Sequence, residues 1–162
     1  MSVVLTKTPP QTDGWGEQLN EWLRGDQYRH HARLRILENL YTKQPFSSML
    51  DIGCGTGHIL NHYIAKGVTG IGIDNSPTIM EYHANQQRFP ASRADVNEMP
   101  FQNHSFDMVT CFGLIEHLNR PIEALSEIRR ITQPNGRAMI TVPRLMGVFP
   151  ALVPFWYISG GR

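Results

Sequence analysis

Three stretches of this 162-residue sequence carry residue types that could hold a nucleotide-like ligand. The first is Asp51-Ile52-Gly53-Cys54-Gly55-Thr56-Gly57-His58. Its glycines let a backbone turn sharply and come close to a ligand without Cβ interference. A plain strand-to-helix turn would use the same residues, so the loop alone is a weak signal. The second is Gly72-Ile73-Asp74-Asn75, where a carboxylate can accept both hydroxyls of a ribose. The third is Asp95-Val96, where a carboxylate beside a free backbone N–H can pair with the amino edge of adenine. A dinucleotide fingerprint wants a third glycine where His58 stands, which weakens a nicotinamide or flavin reading. Carboxylates repel phosphate but suit an adenosine whose other end is a cation.

Such residues work only if strands deliver them to one edge. Ser48 to Ile52 reads as a short buried strand running into the glycines, and His58 to Ala65 as a helix stopped by Lys66-Gly67. A second unit follows, with a strand over Val68 to Ile73 and Asn75-Ser76-Pro77 offering a cap and a first-turn proline for a helix to about Ala84. A weaker strand near Ser92 to Ala94 ends at Asp95, and Phe106 to Phe112 is β-branched and aromatic enough for a fourth. Arg120-Pro121 starts a helix to about Ile131, and Pro134-Asn135-Gly136 turns the chain into a fifth strand, Arg137 to Val142. Before all of these, Leu34, Leu37, Leu40 and Tyr41 recur at helical spacing between Asp26 and Tyr41, with Ile36 flanking and Arg29, Arg33, Arg35 and Glu38 on the other face. Strands alternating with helices predict an α/β fold, a doubly wound, mostly parallel sheet of about five strands in the order 3-2-1-4-5. In such sheets ligands bind outside the carboxyl ends of the strands, where all three stretches fall.

Taken together, these pieces resemble the class I S-adenosylmethionine-dependent methyltransferases, within their broad small-molecule group, from about residue 48 to 143. The resemblance implies a Rossmann-like fold and S-adenosylmethionine as cofactor, with S-adenosylhomocysteine as product. Asp51, Gly53, Cys54, Gly55 and Gly57 look like the motif that holds the methionine part. Asp74, with Asn75 after it, looks like the ribose-binding acid, Asp95-Val96 like the adenine clamp, and Cys111-Phe112 like the residues beside the methionine end. Ser105-Phe106-Asp107-Met108-Val109 and Glu127-Ile128-Arg129-Arg130-Ile131 are similar to the stretches around the family's fourth strand and later helix. The acceptor implied is a small molecule, with oxygen favoured. His117 is the candidate catalytic base for a hydroxyl, since imidazole titrates near neutral pH; the alternative is that it orients a loop or lines the acceptor pocket, with Glu116 beginning the next helix. The Glu116-His117 pair is similar to that of quinone-type O-methyltransferases, but Gly113 stands where a further metal-binding glutamate would be wanted.

No metal is expected: His30, His31, His58, His62, His83 and His104 lack convergent ligand spacing and read as surface or loop histidines. Cys54 and Cys111 read as small loop residues, not reactive thiols, and two cysteines fit a reducing, cytoplasmic compartment. Fifteen Lys+Arg against fourteen Asp+Glu leave a formal net charge of +1, which gives no footprint for nucleic acid. No uncharged apolar run reaches the roughly 18 residues of a membrane span, so no integral membrane association is expected.

Three regions follow: an N-terminal arm over residues 1–25, the cofactor domain over 26–143, and an apolar, proline-broken tail over 144–162. The family's last two strands find no counterpart in that tail. A sheet seldom leaves an edge open, so the fifth strand is expected to be covered by the tail or by a second copy in a homodimer. The alternative function is an S-adenosylmethionine-binding module, truncated or partnered, without turnover of its own.

Overall fold

The computed structural model describes residues 27–86, 88–142 and 155–159. The expected N-terminal arm and most of the tail lie outside the described residues. Helix α1 covers Gln27–Lys43, β1 Ser48–Ile52, α2 His58–Ile64, β2 Thr69–Asp74 and α3 Pro77–Gln86. Strand β3 follows over Ala91–Arg93, then β4 over Phe106–Phe112, a 3-10 turn over Ile115–His117, α4 over Pro121–Ile131, β5 over Thr132–Thr141 and β6 over Phe155–Ser159. Among the described residues no helix is long and apolar enough to cross a membrane.

The strands lie in the order β3-β2-β1-β4-β5-β6. The first five are parallel, as the alternation of strands and helices demands, and β6 is antiparallel to β5. The tail thus adds a sixth strand that its prolines hid, and takes the edge position beside β5. Two apolar layers sandwich the sheet because successive side chains of a strand point to opposite faces. Met49, Met108 and Met139 face α1 and α2, meeting Leu37, Leu60 and Tyr63. Leu50, Val109 and Ile140 face the other way, toward Ala124, Ile128 and Ile131 of α4. Met49, Leu37, Leu60 and Tyr63 are all fully buried, so α1 is anchored on the sheet through Leu37.

Two features depart from the sequence reading. Pro134-Asn135-Gly136 does not precede β5 but lies within it, as an irregularity between the Phe106–Thr132 and Met108–Arg137 pairs. Gly136 sits so close to β4 that a Cβ there would stand 2.9 Å from the carbonyl oxygen of Phe106. Glu116, expected to open the following helix, instead belongs to a separate 3-10 turn, and α4 starts at Pro121.

Arg137 is the unusual group in the apolar layer under α1. It is buried, and its guanidinium donates from Nη1 to Leu40 O at 3.1 Å and from Nη2 to Gln44 O. Those carbonyls lie at the end of α1, where the helix dipole is negative; Leu40 O also accepts the Gln44 N–H at 3.0 Å, and Gln44 O lies just past the last turn. A cation from β5 thus supplies the C-terminal cap of α1.

Candidate functional site

The ends of β1, β2 and β4 are in register: Asp51 is opposite Gly72 and Thr110, and Ile52 is opposite Ile73 and Cys111. The glycine loop leaves β1 and is at once tied to its neighbour, since the amides of Gly53 and Cys54 both donate to Ile73 O, at 2.8 and 3.1 Å. Gly53, Gly55, Gly57 and Gly113 all have positive φ, the left-handed region that side chains avoid. Gly57 has a second constraint: a Cβ there would overlap the Phe89 ring at 2.1 Å.

Asp51 is the most perturbed acid of the cleft. It is 4% exposed. Burial pushes its pKa up to about 7, against the hydrogen bond from Thr110 and the charge of Arg33, with the charge of Asp74 adding to the rise. Thr110 Oγ1 donates to Asp51 Oδ1 at 2.7 Å. Asp74 is pushed up by burial too, opposed chiefly by amides that donate to it: Ser76 N at 2.9 Å on Oδ1 and Gly55 N at 3.2 Å on Oδ2. Two neighbouring acids, both held away from easy ionisation, form a site that gains from the arrival of a cation.

The third stretch lies beside them. Asp95 follows β3 closely, and its Oδ1 accepts the backbone and side-chain amides of Asn97 at 2.8 and 2.9 Å, which hold its pKa below the usual range. Val96 is buried in the apolar layer on the α4 side. Asn75 lies just after Asp74 and receives Arg93 Nε at its carbonyl and side-chain oxygens, at 3.1 and 3.3 Å. Cys111 is fully buried at the end of β4, and Phe112 follows, half-buried. Burial pushes the thiols of Cys54 and Cys111 up, so both persist as thiols at neutral pH. His117 lies on the exposed 3-10 turn beyond Phe112 and Gly113, at the same end of the sheet.

Two residues of this region escaped the sequence reading. Arg33 belongs to α1, yet its Cζ stands 5.2 Å from the centroid of the Phe112 ring, and a Cβ on Gly113 would lie 3.4 Å from its Nη2. Its charge reaches Asp51. Helical periodicity assigned Arg33 to the polar face but could not show how far that face extends over the strand ends. The other is His83, expected at the surface or in a loop; it is instead 6% exposed, with Nε2 2.7 Å from Gly55 O. A signal was present, since His83 follows the buried Ile79 by four residues and so shares its helix face.

Comparison with known proteins agrees with this geometry. Residues 50–140 match the family described as "Methyltransferase domain". The chain is 28% identical over 142 residues to the malonyl-[acyl-carrier protein] O-methyltransferase of Salmonella typhimurium, covering 84% of this chain and 56% of that protein. It is 33% identical over 117 residues to a mouse tRNA (carboxymethyluridine(34)-5-O)-methyltransferase, covering 70% of this chain and 17% of that protein. An uncharacterised protein of Methanocaldococcus jannaschii is 32% identical over 107 residues, covering 66% of this chain and 45% of that protein. The chain therefore spans well under two thirds of these relatives. Among solved structures, a SAM-dependent methyltransferase from Archaeoglobus fulgidus superimposes with a TM-score of 0.67 at 25% identity, covering 82% of this chain and 60% of that one. The chain belongs to the class I S-adenosylmethionine-dependent methyltransferase family.

The residues present fit that family's cofactor. Asp51 is a buried acid whose own protein supplies too little positive charge to keep it ionised, and a sulfonium or ammonium group would complete it. Asp74 is held by the amides of Gly55 and Ser76 at the position expected of a ribose acceptor.

Proposed function

We propose that this chain binds S-adenosylmethionine across the ends of β1, β2 and β4 and transfers its methyl group to a small-molecule acceptor, with oxygen the favoured acceptor atom. The observation that carries the reading is the pairing of Asp51 and Asp74, a buried and a partly buried acid on adjacent strand ends, with Gly55 of the intervening loop donating to Asp74. When bound, the cofactor supplies a methyl group already activated by a sulfonium, so the protein's task is alignment, which can be worth roughly 7–11 kcal/mol in well-oriented systems.

The chain's own residues divide that task. Asp51 takes the ammonium end, Asp74 and Asn75 the ribose, and Asp95 with the Val96 backbone the adenine edge. Arg33 stands near enough to the methionine end to meet a carboxylate, a role suited to guanidinium. Cys111 and Phe112 wall the same end. His117, exposed on its turn, takes the proton of an acceptor hydroxyl in this reading. The low net charge of the chain favours a small acceptor over RNA.

Calorimetry with S-adenosylmethionine on the wild type and on Asp74→Ala tests the cofactor reading, which expects micromolar binding and at least a tenfold loss. Retention of full affinity by Asp74→Ala sinks it. An acceptor screen reading S-adenosylhomocysteine release then tests the acceptor: release with hydroxylated small molecules supports the reading, and release only with tRNA overturns it. A second reading is a cofactor-binding module without turnover. Binding with no release on any acceptor would select it.

A further inference from the structure

His83 takes no part in the proposed division of labour, yet it is buried against the loop on which that division depends. It lies near the end of α3, with its ring 4.7 Å from the Phe89 ring and 5.4 Å from the Tyr82 ring, centroid to centroid. Its Nε2 stands 2.7 Å from Gly55 O. A carbonyl oxygen only accepts, so Nε2 carries the proton and donates. Cys54 Sγ is 3.8 Å from the same nitrogen, a longer contact to a weaker, softer acceptor.

The bond matters because of what stands on the other side of the same residue. Gly55 donates its N–H to Asp74 Oδ2 at 3.2 Å and offers its carbonyl to His83. The two contacts flank its Cα and so fix both of its torsions, at a φ of 51°. Glycine has the largest backbone freedom of any residue. Without a donor to its carbonyl, the peptide after Gly55 could rotate, and the cofactor would have to order it on binding.

We infer that His83 is a positioning residue of the cofactor site, acting through the carbonyl of Gly55 to hold the glycine loop and Asp74 in binding geometry. The inference rests on the cleft being the S-adenosylmethionine site. Phe89 takes most of the space beneath Gly57, where a Cβ would lie 2.1 Å from its ring and 3.4 Å from His83 Cε1, and shares the space beneath Gly72 with Cys54. His83 thus adds a little packing and the hydrogen bond, so a variant pair that keeps its volume but differs in the donor isolates the bond.

The test uses the full chain with S-adenosylhomocysteine as probe. His83→Leu keeps apolar volume against Phe89 and removes the donor; His83→Gln places an amide nitrogen at the same distance along the side chain as Nε2. Calorimetry should show about a tenfold loss of affinity in His83→Leu, the scale of one buried hydrogen bond left unmade, with most of it restored in His83→Gln. The thermal midpoints of the two unliganded variants should agree within a few degrees. Wild-type affinity in His83→Leu, or equal weakness in both variants, overturns the assignment. Should either variant fail to fold, ring nitrogen NMR of the unmutated protein decides: a protonated Nε2 whose signal moves on adding S-adenosylhomocysteine is expected, and a protonated Nδ1 or an unmoved signal overturns it. If the wild type itself does not bind the probe, the cofactor reading has failed; if it binds and the variants do not differ, only the role of His83 has.

Discussion

Thr110 Oγ1 and Asp51 Oδ1 lie 2.7 Å apart at the floor of the cleft, one contributed by β4 and the other by β1. The hydroxyl is a neutral donor to an acid that burial holds at a pKa of about 7. This pairing makes Asp51 sensitive both to pH and to anything cationic that enters.

The stability of the unliganded protein should therefore carry a signature of Asp51. The folded state keeps the proton that the unfolded chain releases near 3.8, so between about pH 4 and 7 the native state binds more protons and stability falls as pH rises. The two values correspond to about 4 kcal/mol. Asp51→Asn removes the titration. Urea denaturation should find the variant more stable than the wild type at pH 8 and no more stable at pH 4, with weaker S-adenosylmethionine binding at both. Parallel pH profiles for the two proteins would refute this.

Cofactor binding should release protons near neutral pH. A cation beside Asp51 favours its ionised form, so near pH 6.5, where the free protein holds Asp51 largely protonated, binding S-adenosylmethionine drives the proton off. Calorimetry at pH 6.5 in two buffers of different ionisation enthalpy should give different observed heats, and the difference should vanish in Asp51→Asn. The same heat in both buffers for the wild type would count against the pairing.

Gly57→Ala should be among the most damaging single-methyl additions in the chain. The added Cβ meets the Phe89 ring at 2.1 Å and requires an alanine at a φ of 75°. Strain and overpacking together should cost about 2–4 kcal/mol by chemical denaturation. Pairing it with Phe89→Ala should relieve the overlap, so the double variant should lose clearly less than the sum of the singles. Strict additivity would show that the ring moves aside at little cost.

Removing the cation beneath α1 should reach the cleft. Arg137→Met leaves the carbonyls of Leu40 and Gln44 without this donor and should cost about 2–4 kcal/mol, partly offset by the loss of a buried charge. Because α1 also carries Arg33, S-adenosylmethionine affinity should fall about threefold to tenfold. An unchanged affinity would show that α1 holds its place on Leu37 and the apolar layer alone.

The acids of the site were legible because strand ends are legible: Asp51 and Asp74 close runs of apolar and β-branched residues, and their positions follow from the parallel order of the sheet. Arg33 and His83 were not, for a common reason. Each sits on a helix, where periodicity gives the face but not the reach, and each acts at a strand end that only packing brings near. The irregularity at Pro134-Asn135-Gly136 was hidden because residues that start a turn also serve within a strand whose ladder shifts register. Strand β6 was hidden by the prolines around it, which break a pattern read locally but do not prevent pairing with β5.

The direction of β6 has a practical use. Phe155 pairs with Thr141 and Ser159 with Arg137, so the strand enters at the rim where Asp51 and Asp74 stand and leaves toward the opposite rim. A label placed at Ser159 itself therefore marks the rim opposite Asp51 and Asp74, and a sensor surface reached through that position leaves the mouth of the molecule facing the flowing solution.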